Sequence, residues 1–286
     1  MTRKTILLLG SSGFIGKNLS ETLKAKYILL TPSRKELNLT NQISTFKFFK
    51  NNKIDIVINC VIVGGSRREE FEANELNVNL RIFFNIVNNS KYYKKLIHLG
   101  SGAEYDKSYP LMKIKEEDFG KRIPQDNYGL FKYVCSKYIE QSENIINLRI
   151  FGLFGKYEDY SLRFPSYAIR RNLSGLPIEI KQNVFFDYVY VDDFVKILEY
   201  FIENKGKYKV YNIGRGKRVD ILSIAKMVNK IGVKTRITID KKGLNREYTC
   251  DNSRLLGEIK NLRLKNIEDS LKDLYQWYKN QAFINE

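Results

Sequence analysis

The chain has 286 residues, with 49 lysines and arginines against 32 aspartates and glutamates, and therefore a formal net charge of +17. This length suits two lobes or one large α/β unit, and 43% apolar with 28% charged residues excludes a disordered or fibrous chain. No apolar run approaches the roughly 20 residues that span a bilayer, and no signal peptide pattern is visible, so we expect a cytoplasmic protein. The three cysteines lie far apart without a CxxC pair, which argues against a disulfide framework and a structural zinc site.

The positive charge alone is compatible with a nucleic-acid partner, an anionic small molecule, or a lysine-rich surface in contact with water. Most of the basic residues are lysines, and they are scattered singly or in pairs along the chain. This distribution favours a solvated surface over a nucleic-acid or membrane interface.

The first half of the chain predicts alternating strands and helices. Apolar runs predict strands at 5–9, 27–30, 54–59, 96–99 and 145–151. Helical spacing of apolar residues predicts helices at 14–26, 44–50, 74–89 and 128–142. Short apolar strands separated by helices are typical of a parallel sheet covered on both faces. We therefore predict an α/β fold with a Rossmann-like, doubly wound parallel sheet.

In the second half the alternation is weaker. Helices are predicted at 164–172, 194–203, 221–231 and 267–279, with strands at 185–191 and 208–213. Asp192 and Asp193 are expected to cap the helix at 194–203. We predict a cofactor-binding Rossmann domain over residues 1–150, completed by about residues 185–203, and a smaller, interwoven substrate-binding lobe over residues 151–286.

A glycine-rich turn joins the first predicted strand to the first predicted helix. Glycines at GxxGxxG spacing allow a tight turn and close approach of the backbone to a pyrophosphate, and the following helix offers its free N–H groups to that anion. In this position between strand and helix, the motif predicts a dinucleotide site. Its candidate residues are Gly10, Ser12, Gly13, Phe14, Ile15 and Gly16.

The segment after the second predicted strand contains the residues that select the cofactor. An acidic residue there would bind the ribose 2′-hydroxyl of NAD, whereas an arginine accommodates the 2′-phosphate of NADP. This segment holds Arg34, flanked by Ser33 and Lys35, and has no acidic residue before Glu36. It therefore favours NADP(H); the alternative is that Arg34 is only a surface residue.

Tyr128 and Lys132 stand four residues apart in a predicted helix and therefore share one of its faces. A nearby ammonium favours the ionised form of a phenol, so Tyr128 is a candidate general acid or base. Lys132 could also bind the nicotinamide ribose. Ser101 follows the fourth predicted strand, at the sheet edge where ligands bind, and could donate a hydrogen bond to a substrate carbonyl oxygen.

Together these motifs resemble the extended short-chain dehydrogenase/reductase family, also called the NAD-dependent epimerase/dehydratase family, over essentially the whole chain. The matching segments are 10–16, 55–59, 77–79, 99–101, 128–132, 148–151, 187–193, 211–214 and Arg246. Members of this family act on nucleotide sugars as epimerases, dehydratases and 4-keto reductases. The resemblance implies a catalytic triad of Ser101, Tyr128 and Lys132.

The resemblance also implies ligand-binding residues outside the motifs analysed above. Those expected near the cofactor are Asn38, Leu39, Cys60, Val61, Asn77, Leu99 and Lys132. Those expected near the substrate are Ala103, Phe151, Arg170, Lys181 and Arg246. The implied partner is a nucleotide-diphosphate sugar, and family dimers imply a homodimer in which helices 74–89 and 128–142 form a four-helix bundle.

Within the family, segments 34–39 and 60–65 look most like the GDP-fucose synthase branch, whose members are NADPH-dependent 3,5-epimerases and 4-reductases. Epimerisation in that branch uses a cysteine two residues after the catalytic serine, where this chain has Ala103. It also uses a histidine before the Pro165 helix, where this chain has none. The only histidine, His98, is predicted to lie in the core. The resemblance therefore implies 4-keto reduction without proton exchange at C3 and C5.

Two further departures concern the reaction type and the substrate. Gly102 and Ala103 occupy the positions where dehydratases of this family have an Asp-Glu pair, so 4,6-dehydration is not expected. Phe186 stands where the family usually has an arginine near the diphosphate; Arg170, Arg246 and Lys181 could supply that charge.

The resulting hypothesis is an NADPH-dependent 4-reductase of a nucleotide-activated 4-keto-6-deoxy hexose or heptose, GDP-linked by preference, that supplies sugars for surface polysaccharides. The alternative within the enzymes is a nucleotide-sugar 4-epimerase with tightly held NAD. A third, more distant hypothesis is a basic RNA-binding protein that retains a dehydrogenase fold.

Overall fold

The computed structural model describes residues 3–64 and 73–282. Its helices are α1 (Phe14–Leu23), α2 (Gln42–Asn51), α3 (Ala73–Val87), α4 (Asn127–Gln141), α5 (Phe164–Leu173), α6 (Val191–Glu203), α7 (Ile221–Ile231), α8 (Ser253–Glu258) and α9 (Ile267–Ala282). Its strands are β1 (Thr5–Leu9), β2 (Ile28–Leu30), β3 (Ile56–Asn59), β4 (Lys95–Ser101), β5 (Leu111–Ile114), β6 (Ile145–Ile150), β7 (Gly152–Phe154), β8 (Ile178–Asn183), β9 (Phe185–Tyr190), β10 (Val210–Ile213), β11 (Arg218–Asp220), β12 (Ile237–Leu244) and β13 (Tyr248–Cys250).

The main sheet is parallel, with the strand order β10-β6-β4-β3-β1-β2. Because the chain leaves β1 towards β2 and then returns to the other side of β1 as β3, the strand order reverses between β1 and β3. Ligands bind in open α/β sheets at such a reversal, outside the carboxyl ends of the strands. The doubly wound, Rossmann-like fold expected from the sequence is confirmed.

Apolar clusters cover both faces of this sheet. On one face the strands pack against α1 and α6 through residues that include Leu19, Phe194 and Phe201. On the other face they pack against α2, α3 and α4, where Phe83 and Phe131 are fully buried or nearly so. The short apolar runs form buried strands because helices shield them from water on both sides.

The second unit combines segments that are far apart in the sequence. A sheet of order β11-β9-β13-β5 brings β5 from the first half of the chain beside β13 near its end, with Leu111 paired to Tyr248. A two-stranded sheet joins β8 and β12, and α5, α7 and α9 enclose an apolar core with these strands.

We expected residues 185–203 to complete the Rossmann domain, but only part of this stretch does so. The strand Phe185–Tyr190 belongs to the second sheet, whereas α6 packs on the main sheet and β10 is its sixth strand. Asp192 and Asp193 do not cap α6, because the helix already begins at Val191 and both residues lie in its first turn. The Asp193 carboxylate instead accepts a hydrogen bond from the backbone N–H of Lys265 at 2.6 Å.

The described ranges, 3–64 and 73–282, contain no helix with the length and apolarity required to cross a membrane. The three cysteines are free thiols, and Cys135 and Cys250 are buried. As expected, His98 lies in the core, where its ring meets Phe83 edge-to-face at 5.1 Å. Burial lowers the pKa of His98 well below its ordinary value.

Candidate active site

The glycine-rich turn lies at the reversal point of the main sheet. Gly10 has a left-handed backbone (φ +79°), and a Cβ there would lie about 3.0 Å from the backbone of Cys60, at the end of β3. A Cβ at Gly16 would lie 2.1 Å from the Gly10 carbonyl oxygen. Both glycines are therefore required by close backbone contacts. The turn ends at Gly13, the N-cap of α1, so the N–H groups of that helix face the space above the turn.

A cavity of about 430 Å³ opens between the loop after β2, the loop after β3 and helix α3. Arg34, Thr40, Asn77 and Arg81 are among its lining residues. Two guanidinium groups from different elements suit a phosphate, because arginine binds phosphate oxygens through several N–H donors. The sequence analysis did not single out Arg81, although its position four residues after Asn77 places it on the same helical face.

The remaining candidate cofactor residues surround the two loops that follow β2 and β3. The Asn38 side chain accepts hydrogen bonds from Thr40, and the buried Leu39 has its carbonyl bound by Asn85. Cys60 is half-buried, and burial raises the pKa of its thiol to about 12. The Val61 N–H donates to Asn59.

Asn79 holds the loop after β3 in place and was not expected as a site residue. Its side chain accepts from the Val63 N–H at 3.0 Å and donates to the Val63 carbonyl at 2.8 Å. It also donates to the Glu75 carbonyl at 2.7 Å, one turn earlier in α3. Asn79 is buried, whereas Asn77, the expected cofactor residue, is exposed towards the cavity.

Ser101 ends β4 and caps the short 3₁₀ turn Gly102–Tyr105. Its hydroxyl accepts a hydrogen bond from the Ala103 N–H at 3.1 Å, and its own N–H donates to the Glu104 carboxylate at 3.0 Å. This reciprocal capping fixes the backbone on both sides of the serine. Ser101 is therefore held at the carboxyl end of a central strand.

Helix α4 brings Tyr128 and Lys132 to this turn. The Lys132 ammonium donates to the Leu99 carbonyl at 2.7 Å and lies 6.0 Å from the centre of the Tyr128 ring. Lys132 is buried, and Lys107 places a second ammonium 5.5 Å from the same ring. Of the expected triad, Ser101 and Lys132 thus both lie at the carboxyl end of β4, and the Tyr128 ring lies near the ammonium groups of Lys132 and Lys107.

Gly129 allows α4 to approach the serine turn closely. A Cβ at this position would lie 2.9 Å from the Ala103 carbonyl oxygen and 2.6 Å from the Pro124 side chain. Asp126 caps the helix by accepting from the Gly129 N–H at 2.9 Å. The first turn of α4 therefore packs directly against the turn that carries Ser101.

Three aromatic side chains, Phe151, Phe186 and Tyr248, form a wall that contacts the serine turn at Gly102. The rings of Phe151 and Tyr248 lie 4.9 Å apart, and Phe186 contacts Tyr248 at 5.9 Å. A Cβ at Gly102 would lie 2.5 Å from the Tyr248 hydroxyl and 2.7 Å from the Phe151 ring. Phe151 and the buried Ala103 were expected near the substrate; Tyr248 was not, although it lies only two residues after Arg246.

The basic residues expected to hold the diphosphate are spread over three elements. The Arg170 guanidinium, on α5, lies over the Tyr160 ring at 5.0 Å and the Tyr278 ring at 5.9 Å. Lys181 is exposed on β8, and Arg246 is exposed two residues before Tyr248. Of the three, Arg246 is therefore nearest in sequence to the aromatic wall.

Asp187, the residue after Phe186 in β9, stabilises the loop after β10. Its carboxylate accepts from the backbone N–H groups of Arg215 at 2.6 Å and Gly216 at 2.8 Å, and Cys250 donates its thiol at 3.5 Å. Burial raises the pKa of Asp187 to about 6 in spite of these donors. This segment matched the family motif, and its aspartate binds backbone groups of its own chain.

Residues 6–214 match the family described as "NAD dependent epimerase/dehydratase family". A similar protein is GDP-L-colitose synthase of Yersinia pseudotuberculosis, which is 24% identical over 96% of this chain and 98% of its own.

Two solved structures illustrate the likeness in fold. A GDP-mannoheptose C4 reductase from Campylobacter jejuni, with NADP bound, superposes with a TM-score of 0.83 at 23% identity, over 98% of this chain and 99% of that one. A UDP-glucose 4-epimerase from Thermotoga maritima, with UDP-glucose, superposes with a TM-score of 0.83 at 20% identity, over 97% and 99% of the two chains.

Proposed function

Because the chain belongs to the NAD dependent epimerase/dehydratase family, we propose that it is an NADPH-dependent reductase of the C4 keto group of a nucleotide-activated 4-keto-6-deoxy sugar. The observation that carries the proposal is the meeting of the Ser101 turn with the Tyr128–Lys132 face of α4 at the carboxyl end of β4. A serine hydroxyl on the turn and a tyrosine hydroxyl on the helix that packs against it, with a buried ammonium beside them, are groups that suit the binding and protonation of a carbonyl oxygen.

The residues of the chain divide the work of this reaction. Ser101 donates a hydrogen bond to the C4 oxygen, and Tyr128 gives that oxygen a proton as negative charge develops on it. Lys132 stabilises the tyrosinate that remains and binds the nicotinamide ribose. The glycine turn, with no room for a Cβ at Gly10 or Gly16, fits a dinucleotide pyrophosphate. When bound, the reduced nicotinamide supplies the hydride to C4.

The two groups that the resemblance implies for epimerisation at C3 and C5, a cysteine and a histidine, are missing from their positions in this chain. Ala103, at the position of the epimerase cysteine, is buried and carries no acid or base. The only histidine, His98, lies in the core beside Phe83. We therefore propose reduction alone, at C4, with the stereochemistry at C3 and C5 retained.

The GDP-linked substrate class is supported by the names of similar proteins. Both GDP-L-colitose synthase and the GDP-mannoheptose C4 reductase are named for GDP-sugars, and the latter binds NADP. Arg34, together with Arg81, gives the cavity between the loop after β2 and helix α3 two groups that suit the additional phosphate of NADP.

A panel of GDP-, CDP- and dTDP-linked 4-keto-6-deoxy sugars, with NADPH oxidation followed by absorbance, tests the proposal. We expect turnover with at least one GDP-linked substrate. Tyr128→Phe removes only the proton donor, so turnover should fall by several orders of magnitude while NADPH affinity stays within about twofold. Undiminished turnover in Tyr128→Phe would exclude this role.

A 4-epimerase is the second candidate, supported by the similar fold of the UDP-glucose 4-epimerase. Such an enzyme would retain its dinucleotide between turnovers, since the hydride returns to the same sugar. Release of the nucleotide from purified protein by heat, followed by chromatography, separates the candidates. Stoichiometric NAD⁺ would favour the epimerase, and an empty or NADP-loaded protein the reductase.

A further inference from the structure

A buried carboxylate lies directly behind the serine turn. Glu104 is fully buried, and one of its oxygens accepts a hydrogen bond from the Ser101 N–H at 3.0 Å. A Cβ at Gly100 would lie 2.4 Å from this oxygen and 2.2 Å from the Asn147 side-chain oxygen. The absence of a side chain at Gly100 therefore makes room for the carboxylate and its amide neighbour.

The other oxygen of Glu104 forms an ion pair with Arg149 on β6, which is 1% exposed. Arg149 also donates to the Tyr105 hydroxyl at 2.8 Å, within the same 3₁₀ turn as Glu104. The Tyr105 hydroxyl in turn donates to Asn212 on β10 at 2.7 Å. The turn that carries Ser101 is thus connected to β6, which is paired with β4, and to β10, the next strand beyond β6.

The same pair reaches helix α4 through one hydroxyl. Ser136 accepts from Arg149 at 2.8 Å and from the Asn147 amide at 2.9 Å. Ser136 lies four residues after Lys132 and eight after Tyr128, so the three side chains share one face of α4. The network therefore links the serine turn to the tyrosine–lysine face through side chains that are all buried.

Stability alone does not account for such a pair. Removing two charges from water is costly, and apolar residues of similar volume commonly give equal or greater stability. A buried network in which the charged groups and the donors are hydrogen-bonded, as those of Glu104, Arg149 and the Asn147 amide nitrogen are, does, however, hold its elements in one geometry. Its members touch the two elements that carry the candidate catalytic groups.

We propose that Glu104 and Arg149 are positioning residues, which fix the Ser101 turn and the Tyr128–Lys132 face of α4 relative to each other. The proposal rests on the proposed function, because it requires that Ser101 and Tyr128 act on one oxygen. A displacement of about 1 Å between such groups can lower a rate about 100-fold.

The main test replaces both charges at similar volume in the full-length protein, as Glu104→Leu with Arg149→Met. We expect a folded protein whose kcat with NADPH and its 4-keto sugar nucleotide falls about 100-fold. NADPH affinity and KM for the sugar should stay within about threefold, because both side chains are buried and offer no surface to either ligand. A folded double variant with the kcat of the wild type would overturn the proposal, as would equal losses in kcat and NADPH affinity.

A milder pair of variants tests the link to α4 if the double variant does not fold. Ser136→Ala removes the hydroxyl that Arg149 and Asn147 share, and we expect kcat to fall with KM unchanged. Ser142→Ala is the matched control, since its hydroxyl donates only to the Ile139 carbonyl at the end of the same helix. Equal kcat in the two variants would contradict the link.

Amide hydrogen exchange tests the positioning without turnover. In the double variant, peptides covering 99–105 and 127–136 should exchange faster than in the wild type. Peptides from the apolar core that α5, α7 and α9 enclose should exchange at the wild-type rate. Leu274→Ala, in α9, provides a variant that lowers stability in that core and leaves the network untouched. If no 4-keto sugar is reduced even by the wild type, the proposed function fails. Unchanged exchange over both peptides would instead overturn the positioning.

Discussion

Arg34 is the residue through which the protein would distinguish NADPH from NADH. It is exposed and lines the cavity between the loop after β2 and helix α3. Hydrogen bonds to charged groups contribute about 1.5–3 kcal/mol, so Arg34→Ala should lower NADPH affinity roughly 10- to 100-fold and change NADH affinity little. Titration of both dinucleotides by fluorescence measures this. Lys35→Ala is the control for general charge, and an equal loss for both dinucleotides would contradict a contact with the 2′-phosphate.

Gly102, directly after Ser101, is a residue at which the turn leaves no space for a side chain. A Cβ there would lie 2.5 Å from the Tyr248 hydroxyl and 2.7 Å from the Phe151 ring, so the aromatic wall or the turn has to move. We expect Gly102→Ala to lower kcat/KM for the sugar at least 10-fold while NADPH affinity is retained. Gly257→Ala, in α8, is the matched control, because Gly257 also lacks a left-handed backbone and a Cβ there would have no atom within 4 Å. If Gly102→Ala has the wild-type kcat/KM, the wall does not face the substrate.

Candidate site residues were predictable from the sequence where the pattern is local. Tyr128 and Lys132 share a helical face because of their spacing, and Gly10 and Gly16 stand at a strand–helix junction. Glu104 and Tyr248 were not predictable in this way. Their neighbours, Arg149 and Gly102, are brought to them only by pairing between distant strands.

Helix α4 is the element on which the position of Tyr128 depends, and Asp126 caps its first turn. Asp126→Ala should lower the free energy of unfolding by about 1 kcal/mol, measured by urea denaturation. Asp126→Ser should preserve most of it, since serine is also a good N-cap. The exposed pair of Asp126 with Lys107 at 3.4 Å contributes little, so Lys107→Ala should be near neutral. An equal loss in Lys107→Ala would assign the effect to the ion pair.

Among the elements, the long helices and the longer buried strands followed from periodicity, whereas β12 and several three-residue strands did not. β4 and β6 are apolar over most of their length and buried on both faces, as the sequence indicated. β12 is largely exposed and contains Asp240 and Lys241, and β7, β11 and β13 have three residues each. The first is too exposed and the others are too short for a period of two to be visible. Their strand structure depends on the partner strand.

At the scale of the whole molecule, stability should depend on the burial of His98. Its pKa is lowered in the folded state by burial, so below about pH 6.5 the unfolded chain binds a proton that the folded protein does not. This contribution to stability is present above pH 6.5 and is lost as the pH falls. Between pH 7 and 5.5 the wild type should lose about 1 kcal/mol more than His98→Leu.

Chemical denaturation of both proteins at the two pH values measures this difference. Asp187, with a pKa raised to about 6 in the folded state, acts in the opposite direction, because the folded protein binds its proton more readily. Since that carboxyl is present in both proteins, its effect cancels in the comparison. Parallel pH dependence in wild type and His98→Leu would show that His98 does not carry the effect.

The pairing of Leu111 with Tyr248 has a consequence for the order in which the protein is made. All six strands of the main sheet lie before residue 214, so they can pair while the rest of the chain is still being synthesised, and α8 adds Leu255 to their apolar cover later. The aromatic wall is completed only when β13 brings Tyr248, and β5 has no partner strand until then. Contacts of such large sequence separation form slowly. During that interval a nascent chain would have a paired main sheet and an open substrate side.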